Sequence, residues 1–184
     1  NHRLRAEASR DEAFVRELAR RSVLPLAAGS KDVRREARRK KLNLEEAARL
    51  LRYEFLGEAA RRARATKIAT GHTMNDQAET VLMRLFRGTG LTGLAGIEPV
   101  SGPAACPIVR PLLRLRREDL EAYLRAEGLD FRLDASNLDR RLLRNRVRLA
   151  LLPELQRNYG PRVIEHLATL ASLAREEDEL LAGF

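Results

Sequence analysis

A histidine, an aspartate and a glutamate fall close together in GHTMNDQAET, the stretch from Gly71 to Thr80. The apolar run KIAT just before it reads as a short strand that delivers His72 to its end. Asp76 and Glu79 then fall in the first turn of a helix. Their i, i+3 spacing points both carboxylates the same way. Two such acids can hold a Mg²⁺-bound phosphate through oxygen ligands or grip a substrate ammonium group. They can equally be ordinary first-turn acids that complement the helix dipole. His72 by itself is compatible with a hydrogen-bonded strand end. The glycines that follow, Gly88 and Gly90 first, could cradle a phosphate on backbone amides, although a bare G-x-G is a weak signal.

Arginine dominates the remaining candidates. Arg52 precedes Tyr53, Arg110 precedes Pro111, and Arg144, Arg146 and Arg148 follow the turn residues Ser136 and Asn137. A planar guanidinium can clamp a phosphate with two parallel bonds. Each arginine taken singly is also compatible with a solvated surface. Lys and Arg outnumber Asp and Glu by 35 to 26, a net +9 that favours a polyanionic partner such as nucleic acid. The single cysteine, Cys106, excludes a disulfide framework and a Cys-based zinc or iron–sulfur site within the chain. No apolar run approaches the ~18 residues of a membrane span. No signal peptide is evident either, so a cytoplasmic protein without a membrane partner is expected.

These residues need elements to position them. Helical periodicity predicts helices over 6–21, 43–64, 76–87 with Asn75 as cap, 117–127, 141–158 and 162–181. The inner faces would carry Leu50, Leu51, Phe55 and Ala59 in the second of these and Val81, Leu82, Leu85 and Phe86 in the third. Short strands are expected at 24–28, 67–70 and 108–112. The basic segment KDVRREARRKKLN shows no wide apolar face and reads as a mobile loop or frayed helix. Strands alternating with helices through short connections predict an α/β fold with a parallel sheet and flanking helices. An all-helical character sets in near Asp139, giving expected domains of 1–138 and 139–184.

The combination GHTMNDQAETVLMRLFRGTGLTGLAGI, IVRPLL and DASNLDRRLLRNRVRLALLPEL resembles the tRNA(Ile)-lysidine synthetases of the PP-loop ATP pyrophosphatase superfamily. NHRLR resembles the end of that family's second strand, and NLEEAARLLRYEFL its following helix. The resemblance implies a PP-loop sheet of the adenine nucleotide α-hydrolase type. It also implies an ATP- and Mg²⁺-dependent ligase acting on free L-lysine and the tRNA(Ile) with a CAU anticodon. ATP adenylates the wobble cytosine at carbon 2, releasing pyrophosphate, and the lysine ε-amine then displaces AMP.

On that resemblance, Asp76 and Glu79 match the acids of the H-x-x-(D/N)-D-Q-x-E-T motif and handle lysine or Mg·ATP. Arg52 and Arg144 match arginines that face the nucleotide and the reacting base. His72, Arg110, Asp134, Asn137 and Arg148 are the implied binding residues, with Asp134 fixing local geometry. No residue is assigned as a metal ligand. A homodimer is compatible with the resemblance.

The family's S-G-G-x-D-S phosphate loop does not occur in this sequence. The chain alone is therefore expected to bind ATP weakly, with the loop supplied by residues outside it or by another polypeptide, unless it is an inactive remnant. The family's C-terminal tRNA-recognition domains are likewise expected to be absent beyond Phe184. Two other readings stay open: a tRNA 2-thiocytidine-type enzyme, disfavoured by the lone cysteine, and a basic RNA-binding module without catalysis.

Overall fold

The computed structural model describes residues 8–132 and 135–183. The NHRLR segment and Asp134 lie outside the described residues. Contacts divide the chain into two compact units, one reaching to Ile68 and the other running from Ala69.

The first unit holds three helices, α1 (Ala8–Arg21), α2 (Val33–Lys40) and α3 (Leu44–Arg62). The basic segment, read as a mobile loop or frayed helix, forms the capped helix α2. Asp32 caps it by accepting from the Arg35 amide at 3.0 Å. At its other end Lys41 takes a left-handed conformation, φ 54°, whose amide closes on the carbonyls of Ala37 and Arg38. The anchoring face is narrow: Val33 and Ala37, one turn apart, are buried with Ala47 and Leu51 of α3. Two small side chains at i, i+4 suffice because the facing helix also presents alanine. Asn43 caps α3 by accepting from the Glu46 amide at 2.8 Å. Its inner face is Ala47, Leu51 and Ala60 rather than Leu50, which is exposed. The expected strand at 24–28 does not form, and Leu24 and Leu26 are exposed.

A small sheet has the order β1 (Ile68–Ala69), β3 (Ile108–Val109), β2 (Val100–Ser101). The expectation of a parallel sheet is corrected for its second pair. β2 and β3 run antiparallel, with Val100 opposite Val109 and Ser101 opposite Ile108. The connection from Ser101 to Ile108 is far shorter than the dozen or more residues that a parallel crossover needs. It turns at Gly102, whose φ of +87° favours glycine.

The second unit is organised around α4 (Met74–Leu85), which packs on α9 (Val163–Ala182). Ala78 and Leu82 of α4 share a buried cluster with Val147, Leu152 and Ile164. Between the two lie α5 (Leu91–Leu94), α6 (Arg117–Ala126), α7 (Leu143–Arg146), a π-helical turn (Val147–Leu151) and α8 (Leu152–Tyr159). Leu85 and Phe86, expected to face inward, stand exposed in the last turn, where the chain leaves α4 for Gly88.

The burial pattern predicts unequal costs along α9. Ile164→Ala, in the cluster, should destabilise by ~2–5 kcal/mol, whereas Leu173→Ala, on the exposed face, should stay within ~0.5 kcal/mol. Urea midpoints at constant slope check both.

Candidate active site

The motif at the start of α4 folds by assigning each polar residue a separate job. Thr73, not Asn75, is the cap. Its amide donates to Asp76 Oδ2 at 2.9 Å and its hydroxyl accepts from the Asp76 amide at 3.4 Å, a reciprocal capping box. Asn75 lies inside the helix and ties it to the start of α6. Its Oδ1 accepts from the Arg117 amide at 2.8 Å, and its Nδ2 donates to Glu118 at 3.2 Å. Gln77 holds the glycine-rich loop, donating to the Ala95 and Ile97 carbonyls and accepting from the Ile97 amide at 2.6 Å. Gly96 is required there: its φ is +65°, and an added Cβ would lie 2.6 Å from Gln77 Oε1. Arg84 and Arg175 brace the same loop through carbonyls of Gly93, Ala95, Gly96 and Ile97.

That leaves Asp76 and Glu79, which meet three arginines. Glu79 is wholly buried (0% exposed), while the Asp76 side chain is 14% exposed. Arg144 donates from Nε to Glu79 at 2.8 Å and from Nη2 to Asp76 at 3.1 Å. Arg148 donates from Nε and Nη2 to the two Glu79 oxygens at 2.6 and 2.9 Å, and from Nη2 to Asp76 at 3.1 Å. Arg117 reaches the same acids at longer range, 3.5 Å to Asp76 and 3.8 Å to Glu79. A buried carboxylate persists only when paired and hydrogen-bonded, and Glu79 meets that condition.

Arg144 and Arg148 are one helical turn apart, at α7 and the start of the π-helical turn. The approach to α7 is fixed by Asp139. Its backbone carbonyl accepts from buried Asn145 at 2.9 Å, and its carboxylate grips Arg141. The Arg141 guanidinium and amide hold the Asp139 carboxyl down at about 2. Asn137 accepts from Arg148 Nη1 at 3.3 Å. Burial pushes the Asp76 carboxyl up, but the Thr73 amide and the charges of Arg144 and Arg117 outweigh it and hold it below its ordinary value. Burial likewise works against the Arg148 charge, and the bond to Glu79 more than restores it.

The structure thus brings together Asp76, Glu79, Arg144, Arg148 and Asn137. It does not bring Arg110 to them. That side chain is buried and donates from Nη1 to the Glu98 carbonyl at 2.6 Å and to Ser101 Oγ at 2.9 Å, bracing β2. His72 is half-buried, with Nδ1 hydrogen-bonded to Thr70 Oγ1 at 2.9 Å. Arg52 is exposed on α3 in the other unit. Sequence reasoning missed Arg117, Thr73 and the bridging role of Asn75. Only the cap carried a local signal, a threonine three residues before an acid.

Asp76 has a folded pKa below its unfolded one. It therefore contributes stability that is present above the unfolded pKa and lost as pH falls through the folded value. The gap in urea midpoint between wild type and Asp76→Asn should accordingly shrink as pH drops from about 6 to below the ordinary 3.8. Glu79→Ala should cost ~3–5 kcal/mol by stranding two arginines. Glu79→Leu combined with Arg144→Met and Arg148→Met should recover most of that loss.

The PP-loop domain family matches residues 1–155. Curated relatives named tRNA(Ile)-lysidine synthase align along nearly the whole chain. That of Symbiobacterium thermophilum is 50% identical over 99% of this chain and 38% of its own length. That of Geobacter sulfurreducens is 44% identical over 99% and 38%, and that of Solibacter usitatus 42% identical over 100% and 40%. The chain spans about two-fifths of the length of these relatives. With the family matched over most of its residues, the chain belongs to the PP-loop domain family.

Proposed function

We propose that this chain is the catalytic part of a tRNA(Ile)-lysidine synthase, ligating L-lysine to the wobble cytidine of the CAU-anticodon tRNA(Ile) at the expense of ATP. The observation that carries this reading is the convergence of the motif acids Asp76 and Glu79 with Arg144 and Arg148 in one half-buried cluster. Three arginines against two carboxylates leave one positive charge in excess. Arg144 engages the acids through Nε and Nη2, and Arg117 through Nη2 alone. Nη1 of each is left over for an incoming anion. In adenylyl transfer negative charge develops on the phosphoryl group, and fixed donors that need no reorganisation favour that change.

In this arrangement Asp76 and Glu79 act by holding guanidinium groups in place. The reaction couples two displacements. The oxygen on carbon 2 of the cytosine attacks the α-phosphate as pyrophosphate leaves, and the lysine ε-amine then forms the new C–N bond at carbon 2 as AMP leaves with that oxygen. The amine must lose a proton, and His72, its ring set by Thr70, is the proposed acceptor. Arg52 and Asp134 keep their proposed nucleotide-facing and geometry-setting roles on resemblance alone. Residues 1–138 are read as the PP-loop part and 139–184 as a helical extension.

The described residues do not fit a Mg²⁺ ion. Both site acids, the carboxylates that could ligate it, already engage arginines. No described helix is long and apolar enough to cross a membrane. A cytoplasmic location and a homodimer belong to the same proposal.

AMP release that requires both tRNA(Ile) and lysine tests the reading. It should appear in the chain itself, or after a segment bearing S-G-G-x-D-S is joined ahead of Asn1. RNA binding with no such release in either form overturns it in favour of a non-catalytic module. In the active form Arg144→Lys should lower kcat by ~10²-fold or more, since lysine cannot reproduce the planar two-pronged contact. Asp76→Asn should lower it in the same direction.

A further inference from the structure

We propose that the outer face of α2 docks the phosphate backbone of an RNA strand. The choice of RNA rests on the reading of the chain as a tRNA-acting protein. The surface itself rests on separate observations, in the first unit. α2 is buried on one side only, through Val33 and Ala37. Successive helical residues turn by about 100°, which places Arg34, Arg35 and Arg38 away from that side. All three are exposed, and none forms an ion pair among the described residues. Of the nearby acids, Glu36 is engaged by Arg39 at 2.7 Å and Glu54 by Lys40 at 2.9 Å, while Asp32 is held as the cap by the Arg35 amide at 3.0 Å. The stripe is therefore not neutralised from within.

Its placement also runs against local helix physics. Arg34 and Arg35 sit in the first turn, at the positive end of the dipole, where acids are favoured. Arg34 and Arg38 are like charges at i, i+4, which repel. A solvated face with no partner would gain from the reverse arrangement. What holds the helix is independent of these charges: the Asp32 cap, the left-handed Lys41 cap and the Val33–Ala37 anchor. The result is a pinned cationic ridge, and local rules are broken in this way where an external ligand compensates.

The chemistry of the ridge selects the partner. A membrane surface would need apolar residues on the open face, and the only two in α2 are buried. A protein partner would need an aromatic or aliphatic anchor in the patch, and α2 has none exposed. A phosphate backbone needs charge and guanidinium forks alone.

The test compares Arg34→Gln/Arg35→Gln/Arg38→Gln with an equal charge loss elsewhere in the same unit, Arg61→Gln/Arg62→Gln/Arg64→Gln, whose positions are also exposed. Binding of tRNA(Ile) and of an unrelated RNA hairpin is titrated against salt. The α2 variant should lose about tenfold or more in affinity for both RNAs, and its log–log salt slope should fall by about 2–3. The control should change much less. Arg→Lys at the same three α2 positions should retain most of the slope. Equal losses in the two Gln variants would overturn the proposal, as would an unchanged slope in the α2 variant. So would tighter binding, dependent on the α2 arginines, to phosphatidylserine vesicles than to RNA. Retained α2-dependent RNA binding without lysine-dependent AMP release would sink the ligase reading and leave the docking surface standing.

Discussion

The second unit depends on keeping one fully buried carboxylate charged. Glu79 has no access to solvent, and removing a charge of that size from water carries an effective cost of several kcal/mol even after relaxation. The compensation comes from far along the chain, from Arg144 and Arg148. Their guanidinium groups can reach Glu79 only if α7 and the π-helical turn lie against α4 in one register. Apolar packing among Ala78, Leu82, Val147 and Ile164 would tolerate small slips. Two charged forks on one carboxylate tolerate far less. The ion cluster accordingly sets the geometry of the unit more than its net stability.

Around Glu79, the first two turns of α4 work as a hub. Thr73 and Asp76 close the helix start, Asn75 fastens α6, and Gln77 fastens the glycine-rich loop. Asp76 and Glu79 fasten the arginines. Five polar side chains on one short stretch would be costly to bury if any were unpaired. The same density makes the site rigid, because moving one partner disturbs a turn to which the others are bound.

How much of this was legible in the sequence follows from how far apart the partners lie. The helices around 44–62, 74–85, 117–126 and 163–182 announced themselves through apolar periodicity and caps, which are local signals. The acid pair and the arginines at 144 and 148 were visible as types and spacing. Arg117 was not, since its partners are some forty residues away and nothing beside it marks it. α2 was legible only as a loop or frayed helix because its apolar stripe is only Val33 and Ala37 among many charges, and its stability depends on an alanine across the interface. Arg110 looked like a clamp for phosphate by its place before a proline. In the fold its guanidinium satisfies a backbone carbonyl that the two-residue strand β2 leaves open. The antiparallel pair went unseen because Val100–Ser101 is too short to show any alternation.

The acids and the arginines also constrain one another chemically. For Asp76 or Glu79 to grip an ammonium group or a metal ion, an arginine contact of 2.6–3.1 Å would have to be released first. That release would leave a guanidinium group unpaired in a half-buried setting, where the loss is large. An anion faces no such barrier. It meets a cluster already one charge in excess, with Arg117 held only at 3.5–3.8 Å. The asymmetry favours acids that orient and arginines that contact, which is the reverse of what the spacing of the two carboxylates suggests by itself.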